Sequence, residues 1–240
     1  MTLPASHAAA TRPAYAMHLP MPQDGLHMAQ LRYDYSDQTL AQLRREATLP
    51  ARLQNAVPRR QMDYLAGRCC ALQALRAADV VGTTDIPIGE RGQPVWPAGM
   101  RGSISHCDGI AVAAVGRADQ LAYVGIDIER EISVEVSREI GGQLATAEEM
   151  QLGPPQGCTP EAWLTLLFSG KESLFKALYP SVGAYFDFLD ASATQLDLRA
   201  GMFTLRLQVT LSPQHTQGST YAIRFHRQDG HVLTQCVLPA

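Results

Sequence analysis

The sequence predicts an α+β fold, and three observations predict it. The run RRQMDYLAGRCCALQALRAA after Pro58 carries Leu65, Cys69, Leu72 and Leu75 at three- and four-residue steps, the spacing of a helix face. Thr159-Pro160-Glu161 then opens a second long apolar segment with a Thr cap, Pro at the first helical position and an acid in the first turn. Several short β-rich stretches lie around these helices, and most of their connections suit antiparallel pairing. Helices packed on mainly antiparallel strands make the class α+β.

Taken in order, residues 1–25 read as irregular, because Pro13, Pro20 and Pro22 break any helix. The Pro58 helix presents Arg60 and Arg68 away from its apolar stripe, and its adjacent Cys69 and Cys70 point about 100° apart, which suits packing rather than a shared metal. Residues 82–102 are punctuated by Gly and Pro and read as turns. Strands are expected at 110–115 and 123–129, and short helices at 133–140 and 146–152. Gly153-Pro154-Pro155-Gln156-Gly157 reads as a surface loop. The Thr159 helix is expected to run to about Leu178 and stop at Pro180. Residues 202–211 alternate, with Phe203, Leu205, Leu207, Val209 and Leu211 on one face, and residues 221–225 pair with 232–238 around Asp229-Gly230.

The totals exclude several classes. The chain has 240 residues, enough for one large domain or two small ones. Lys and Arg number 20 against 23 Asp and Glu, for a formal charge of −3, which argues against a dedicated nucleic-acid binder. No apolar run approaches the roughly 20 residues of a membrane span. No basic n-region precedes an apolar block, so no signal peptide is expected. Five cysteines without framework spacing point to reduced thiols in the cytosol, hence a cytoplasmic location.

The chemistry concentrates in three acidic residues. In Gly125-Ile126-Asp127-Ile128-Glu129 the strand sends Asp127 and Glu129 to one face while Ile126 and Ile128 enter a core. Glu172 lies in Phe168-Ser169-Gly170-Lys171-Glu172-Ser173-Leu174-Phe175-Lys176, one helical turn before Lys176. Gathered carboxylates repel one another unless a hard cation such as Mg²⁺ takes them as oxygen ligands. The neighbouring Lys171 and Lys176 imply that the metal's other partner is an anion, and phosphate is the usual one.

Read with its neighbours, the set becomes specific. Leu65-Ala66-Gly67-Arg68, Gly92-Gln93-Pro94-Val95-Trp96-Pro97, Gly102-Ser103-Ile104-Ser105-His106-Cys107, Gly125-Ile126-Asp127-Ile128-Glu129 and Phe168-Ser169-x-Lys171-Glu172-Ser173-x-x-Lys176 occur in this order. The ordered set resembles the 4′-phosphopantetheinyl transferases of the Sfp type, in particular the enterobactin-synthase component D branch, from about residue 58 to 179. The resemblance implies transfer of phosphopantetheine from coenzyme A to a serine of an apo acyl or peptidyl carrier protein, with release of adenosine 3′,5′-bisphosphate. The product would serve siderophore, nonribosomal peptide, polyketide or fatty-acid synthesis. It also implies two similar αβ halves, 1–118 and 119–240, about a pseudo-two-fold axis with the site between them, and a monomer.

Roles for single residues follow from the same resemblance. Asp127, Glu129 and Glu172 would hold Mg²⁺, with Mn²⁺ as a substitute. Glu172, or a metal-bound water beside it, would accept the serine proton. Lys176 would stabilise the departing phosphate and Lys171 would bind diphosphate or ribose phosphate. Arg60 and Arg68, helped by Arg91, would take the 3′-phosphate. Ser105 and a protonated His106 would bond phosphate. Some relatives carry Lys where this chain has Gln93, and Arg91 is the expected replacement. Residues 146–159 are the expected mobile loop at carrier docking. Cys107 is read as core, Trp96 and Trp163 as packing, and His7, His18, His27, His215 and His231 as surface or loop residues. A Mg²⁺-dependent phosphohydrolase or nucleotidyl transferase is the competing enzyme class, and a carrier- or coenzyme A-binding module without catalysis the competing non-enzyme. The Arg-rich helix with the Ser-His motif argues against the first, and the intact carboxylates with Lys176 argue against the second.

Overall fold

The computed structural model describes residues 15–16, 23–153 and 158–240, so most of the irregular stretch expected over 1–25, with Pro13, Pro20 and Pro22, and most of the loop 153–157 lie outside the described residues. The chain runs β1 (Tyr15–Ala16), β2 (Leu26–Arg32), α1 (Asp37–Glu46), α2 (Pro58–Ala77), β3 (Met100–Cys107) and β4 (Ile110–Arg117). It continues with β5 (Leu121–Arg130), α3 (Val134–Leu144), α4 (Ala147–Leu152), α5 (Pro160–Val182), β6 (Ala191–Asp197), β7 (Met202–Leu207), β8 (Thr220–Gln228) and β9 (His231–Pro239). The strands form two antiparallel sheets, ordered β1-β2-β4-β3 and β5-β9-β8-β7-β6. The fold is α+β, and the chain passes from one sheet to the other between Arg117 and Leu121.

Each sheet has one long helix on it. α2 lies on the first sheet and is buried on nearly every side, with Tyr64, Leu65, Ala66, Cys69, Cys70, Ala71 and Leu75 all inaccessible. α5 lies on the second, where Trp163, Leu167 and Leu174 meet Phe203, Ile223 and Val232. β4 explains how the halves join. Its Ala111, Ala113 and Val115 face α2, while Ile110, Val112 and Ala114 face Val124, Ile126 and Ile128 of β5. A strand shows alternate residues to opposite faces, so β4 serves two cores at once.

The two sheets also meet edge to edge without a backbone ladder. Ser103 Oγ accepts from Ile126 N at 3.0 Å and Ser105 Oγ accepts from Ile128 N at 3.3 Å. The contacts advance two residues along each strand in the same sense, so β3 and β5 run parallel with hydroxyls in place of carbonyls. These side chains satisfy edge amides that would otherwise be buried unpaired.

Several expectations need correcting. β2, α1 and β6 carry no strong sequence signal and were not expected; α1 is started by Ser36, whose side chain accepts from Thr39 N. β3 begins at Met100, inside the stretch read as turns. α5 does not stop at Pro180 but continues to Val182. Proline so near the end removes one hydrogen bond only, and Gly183, in the left-handed conformation at φ 70°, closes the turn through Gly183 N donating to Tyr179 O at 2.8 Å. β7 ends at Leu207, and Val209 is exposed because Gln208 N turns to Asp190 O.

Glycine sets the closest approach. A Cβ on Gly125 would stand 1.9 Å from Ser173 O and 2.6 Å from Ala177 N, both backbone atoms of α5. Gly125→Ala is therefore expected to destabilise by about 3 kcal/mol, the upper end of ordinary overpacking, or roughly 6–12 °C in Tm for a chain of this size. A thermal melt matching the parent would show that α5 does not rest on β5 at this point.

Candidate active site

Asp127 is the centre of the site. The alternation of β5 that buries Ile126 and Ile128 turns Asp127 the other way, toward α5, where only 2% of it is exposed. Its Oδ1 accepts from Ser105 Oγ at 2.8 Å and from Lys176 Nζ at 2.6 Å, and Lys176 Nζ also donates to Ser105 Oγ at 3.2 Å. One carboxylate oxygen thus gathers β3, β5 and α5. Oδ2 is buried with no hydrogen-bond partner. The height of α5 over the strands is fixed by hydroxyls: Ser169 and Ser173 both bond Thr234 of β9, at 2.9 and 2.7 Å, and Thr234 Oγ1 donates to Ser169 O at 2.8 Å.

Glu129 and Glu172 complete the acidic set. Burial, and then the charge of Asp127, push the Glu129 carboxyl up to about 7. Burial also raises Glu172, with Lys176 opposing and Asp127 reinforcing the rise. Both shifts describe carboxylates short of positive charge. Among the described residues no three His, Cys, Asp or Glu side chains converge as a metal-binding group. In this arrangement the cation held by Asp127 is Lys176.

The cationic candidates divide. Arg60 is exposed at the start of α2 with Nη1 3.4 Å from His106 Nε2, so these two stand together. The protonated His106 expected from the sequence is corrected: burial lowers its pKa, Arg60 and Lys176 lower it further, and Asp63 and Asp127 oppose without reversing the shift, so the neutral ring is favoured. Arg68 does not join them. It is buried, its Nε donates to Ile86 O at 2.8 Å and its guanidinium lies 4.5 Å over the Tyr64 ring. Ser105 is taken up by Asp127, Lys176 and Ile128 rather than offered to phosphate.

Lys171 is the clearest correction. It is 3% exposed, donates to Leu144 O at 2.8 Å and pairs with Glu149 at 2.8 Å. Glu149 in turn accepts from Ala193 N at 2.8 Å and closes the capping box of α4 through Thr146 N at 2.9 Å, and its carbonyl accepts from Trp163 Nε1. Lys171 thus ties α4 and β6 to α5, and the helical part of the expected docking loop is pinned. Lys176 follows Lys171 by five positions, which is about 140° around a helix, so the two face different sides of α5.

Beside Lys176 a cavity of about 1380 Å³ opens between β3, the start of β5, residues 91–97 and the end of α5. Trp96, Ile104, Phe175, Tyr179 and Tyr185 supply much of its wall, and Arg91, Arg101 and Lys176 are its charged side chains, with no Asp or Glu side chain among the lining. Arg91 belongs here and not with Arg60; its Nη1 donates to Gly183 O, across the cleft. Gln93 accepts from Arg91 N through Oε1. Sequence reasoning missed Arg101 and Tyr185, which stand outside the motifs. It also misread His215, which is buried between Ser181 Oγ and Tyr221 Oη at 2.8 Å each. Cys107 is half-buried rather than core, and burial together with Glu129 pushes its thiol up to about 12.

Comparison with known proteins agrees with this geometry. Residues 48–116 match the family described as 4′-phosphopantetheinyl transferase N-terminal domain, and residues 123–236 match the 4′-phosphopantetheinyl transferase superfamily. The enterobactin synthase component D of Escherichia coli (strain K12) is 36% identical over 187 residues, covering 78% of this chain and 81% of that protein. The 4′-phosphopantetheinyl transferase Svp of Streptomyces mobaraensis is 38% identical over 159 residues, 66% of this chain and 64% of that one. The 4′-phosphopantetheinyl transferase PptT of Mycobacterium tuberculosis (strain ATCC 25618 / H37Rv) is 36% identical over 214 residues, 85% of this chain and 89% of that one. No helix among the described residues is long and apolar enough to cross a membrane.

Lys171→Met leaves Glu149 as an unpaired buried carboxylate, and breaking such a pair costs about 3–5 kcal/mol. A large fall in Tm is expected, with an unchanged KM for the small-molecule substrate at temperatures where the variant is folded. A raised KM with an unchanged melt would return Lys171 to the site.

Proposed function

The chain belongs to the 4′-phosphopantetheinyl transferase superfamily, and on that premise we propose how its own residues act. It transfers the 4′-phosphopantetheine group from coenzyme A to a serine of an apo carrier protein, leaving adenosine 3′,5′-bisphosphate. The observation that carries this reading is the Ser105–Asp127–Lys176 junction, which joins the two sheets and opens on a cavity with three cationic side chains.

The carboxylates suit a divalent cation by donor type and charge, although among the described residues they do not converge as a preformed group. Asp127 Oδ2 is buried without a partner, and Glu129 and Glu172 are both raised by burial beside it. Hard cations take such oxygens. Asp127, Glu129 and Glu172 would hold Mg²⁺, or Mn²⁺ in its place, and the ion would neutralise diphosphate charge. The chain's own groups supply the rest. Lys176 spends two of its three donors on Asp127 and Ser105, leaving the third for a diphosphate oxygen. Arg60 and His106 receive the 3′-phosphate. The apolar walls of the cavity take the uncharged pantetheine arm, with Arg91 and Arg101 for its amides.

The serine hydroxyl attacks the phosphorus that bears pantetheine. Its proton passes to Glu172, whose carboxyl burial raises above its ordinary value and so makes a better proton acceptor. The bond to the second phosphate breaks, and Lys176 stabilises the charge that develops on adenosine 3′,5′-bisphosphate. The acceptor is a folded carrier whose serine reaches the cleft.

Incubation with coenzyme A, Mg²⁺ and a panel of apo-carriers, read by intact mass, is expected to add one phosphopantetheine per cognate carrier, and EDTA to prevent it. An unmodified panel would overturn the reading. Glu172→Gln is expected to slow turnover about 10²–10⁴-fold while coenzyme A still binds. Parent-like rates would remove Glu172 from proton transfer.

A further inference from the structure

Asp63 has no place in the chemistry above, yet its carboxylate holds two phenols at once. It sits one turn after Arg60 on α2, and its Oδ1 accepts from Tyr33 Oη at 2.7 Å and from Tyr35 Oη at 3.0 Å. The two rings meet edge to face at 5.6 Å. The same tyrosines grip the turn between β3 and β4. Tyr33 N donates to Gly109 O at 2.8 Å, and Gly109 N donates to Tyr35 Oη at 3.0 Å. That two-residue hairpin turn takes left-handed backbone at both positions, Asp108 at φ 43° and Gly109 at φ 78°, and a Cβ on Gly109 would stand 2.5 Å from Tyr33 O.

The turn follows His106 and Cys107 directly. Arg59, the neighbour of Arg60, holds it from a third side: it pairs with Asp108 at 3.0 Å and lies 4.8 Å over the Tyr35 ring. Arg59 joins the start of α2, which carries Arg60, directly to the turn after β3, which follows His106, and Asp63 reaches the same turn through Tyr33 and Tyr35. Exposed ion pairs alone contribute little, but a carboxylate fixed by two phenols is a rigid anchor.

We propose that Asp63 is a positioning residue: through Tyr33 and Tyr35 it clamps the Asp108–Gly109 turn and so holds the Arg60–His106 pair at the spacing that receives a phosphate monoester. The inference rests on the reading above that Arg60 and His106 bind the 3′-phosphate of the donor. The charge of Asp63 acts in the same direction, since among the groups facing His106 (Arg60, Asp63, Asp127 and Lys176) it is the leading one that favours a charged ring.

The test compares KM for coenzyme A and for dephospho-coenzyme A, which differ only in that monoester, together with kcat and Tm. Asp63→Ala is expected to raise the coenzyme A KM about tenfold, the equivalent of one lost hydrogen bond to a charged group. The dephospho-coenzyme A KM and kcat should stay within about twofold of the parent's. Asp63→Glu should recover most of the loss, and adding Asp63→Ala to His106→Ala should cost nothing further, as coupled residues require. Should Asp63→Ala not fold, Asp63→Asn keeps an acceptor for both phenols and is expected to raise the coenzyme A KM about threefold. Equal effects on the two donors, or a lower Tm with KM unchanged, would overturn the positioning role. If His106→Ala itself left the preference for coenzyme A intact, the phosphate assignment would fail instead, and the two failures are distinct.

Discussion

Two serine hydroxyls stand where a backbone ladder would join β3 to β5, and the site depends on that substitution. Ser103 and Ser105 satisfy the amides of Ile126 and Ile128. The strands therefore lie side by side without merging into one sheet, and a seam is left at which side chains, rather than carbonyls, face each other. Ser105 uses the remaining capacity of its hydroxyl on Asp127. A direct ladder would have closed this edge and removed the position from which a carboxylate meets a lysine on α5. The constraint is steric as well: Gly125 lets α5 rest on β5 closely enough for Lys176 to reach across.

Burying Asp127 is costly unless it is paired. The protein meets half of that requirement with Lys176 and Ser105 on Oδ1 and leaves Oδ2 without a bond. An atom in that condition keeps its lone pairs for a cation. Glu129 and Glu172, both raised by burial, share the same deficit of positive charge. Transfer of a phosphoryl group relies on charge neutralisation more than on covalent participation, and a site short of cations is suited to receiving one along with the diphosphate.

Lys171 and Lys176 show how one helix can be read in two ways. Both are lysines in a single motif of nine residues, and the spacing alone gives each a phosphate. The structure divides them. Lys171 completes a fully buried pair with Glu149 that fixes α4 and β6, whereas Lys176 faces the seam and the cavity. Arg60 and Arg68 divide likewise: Arg60 stands by His106, and Arg68 holds the carbonyl of Ile86 beneath Tyr64.

The α+β class, α2, α5, the central strands and the final hairpin were legible because their periodicities and caps are local. So was the face shared by Asp127 and Glu129, because two-residue alternation in a strand needs no partner to define it. The short β6 and the elements before residue 50 were not, since their stability comes from neighbours distant in sequence. The sequence by itself determined which groups are available, down to the acids, the lysines and the serines of Gly102-Ser103-Ile104-Ser105-His106. Only the tertiary structure decided which of them face one another: the bond from Ser105 to Asp127, the burial of Lys171 and the grip of Asp63 all join residues from separate elements. Such pairings depend on helix rotation and strand register set by the packed core, and neither is encoded in a motif's spacing.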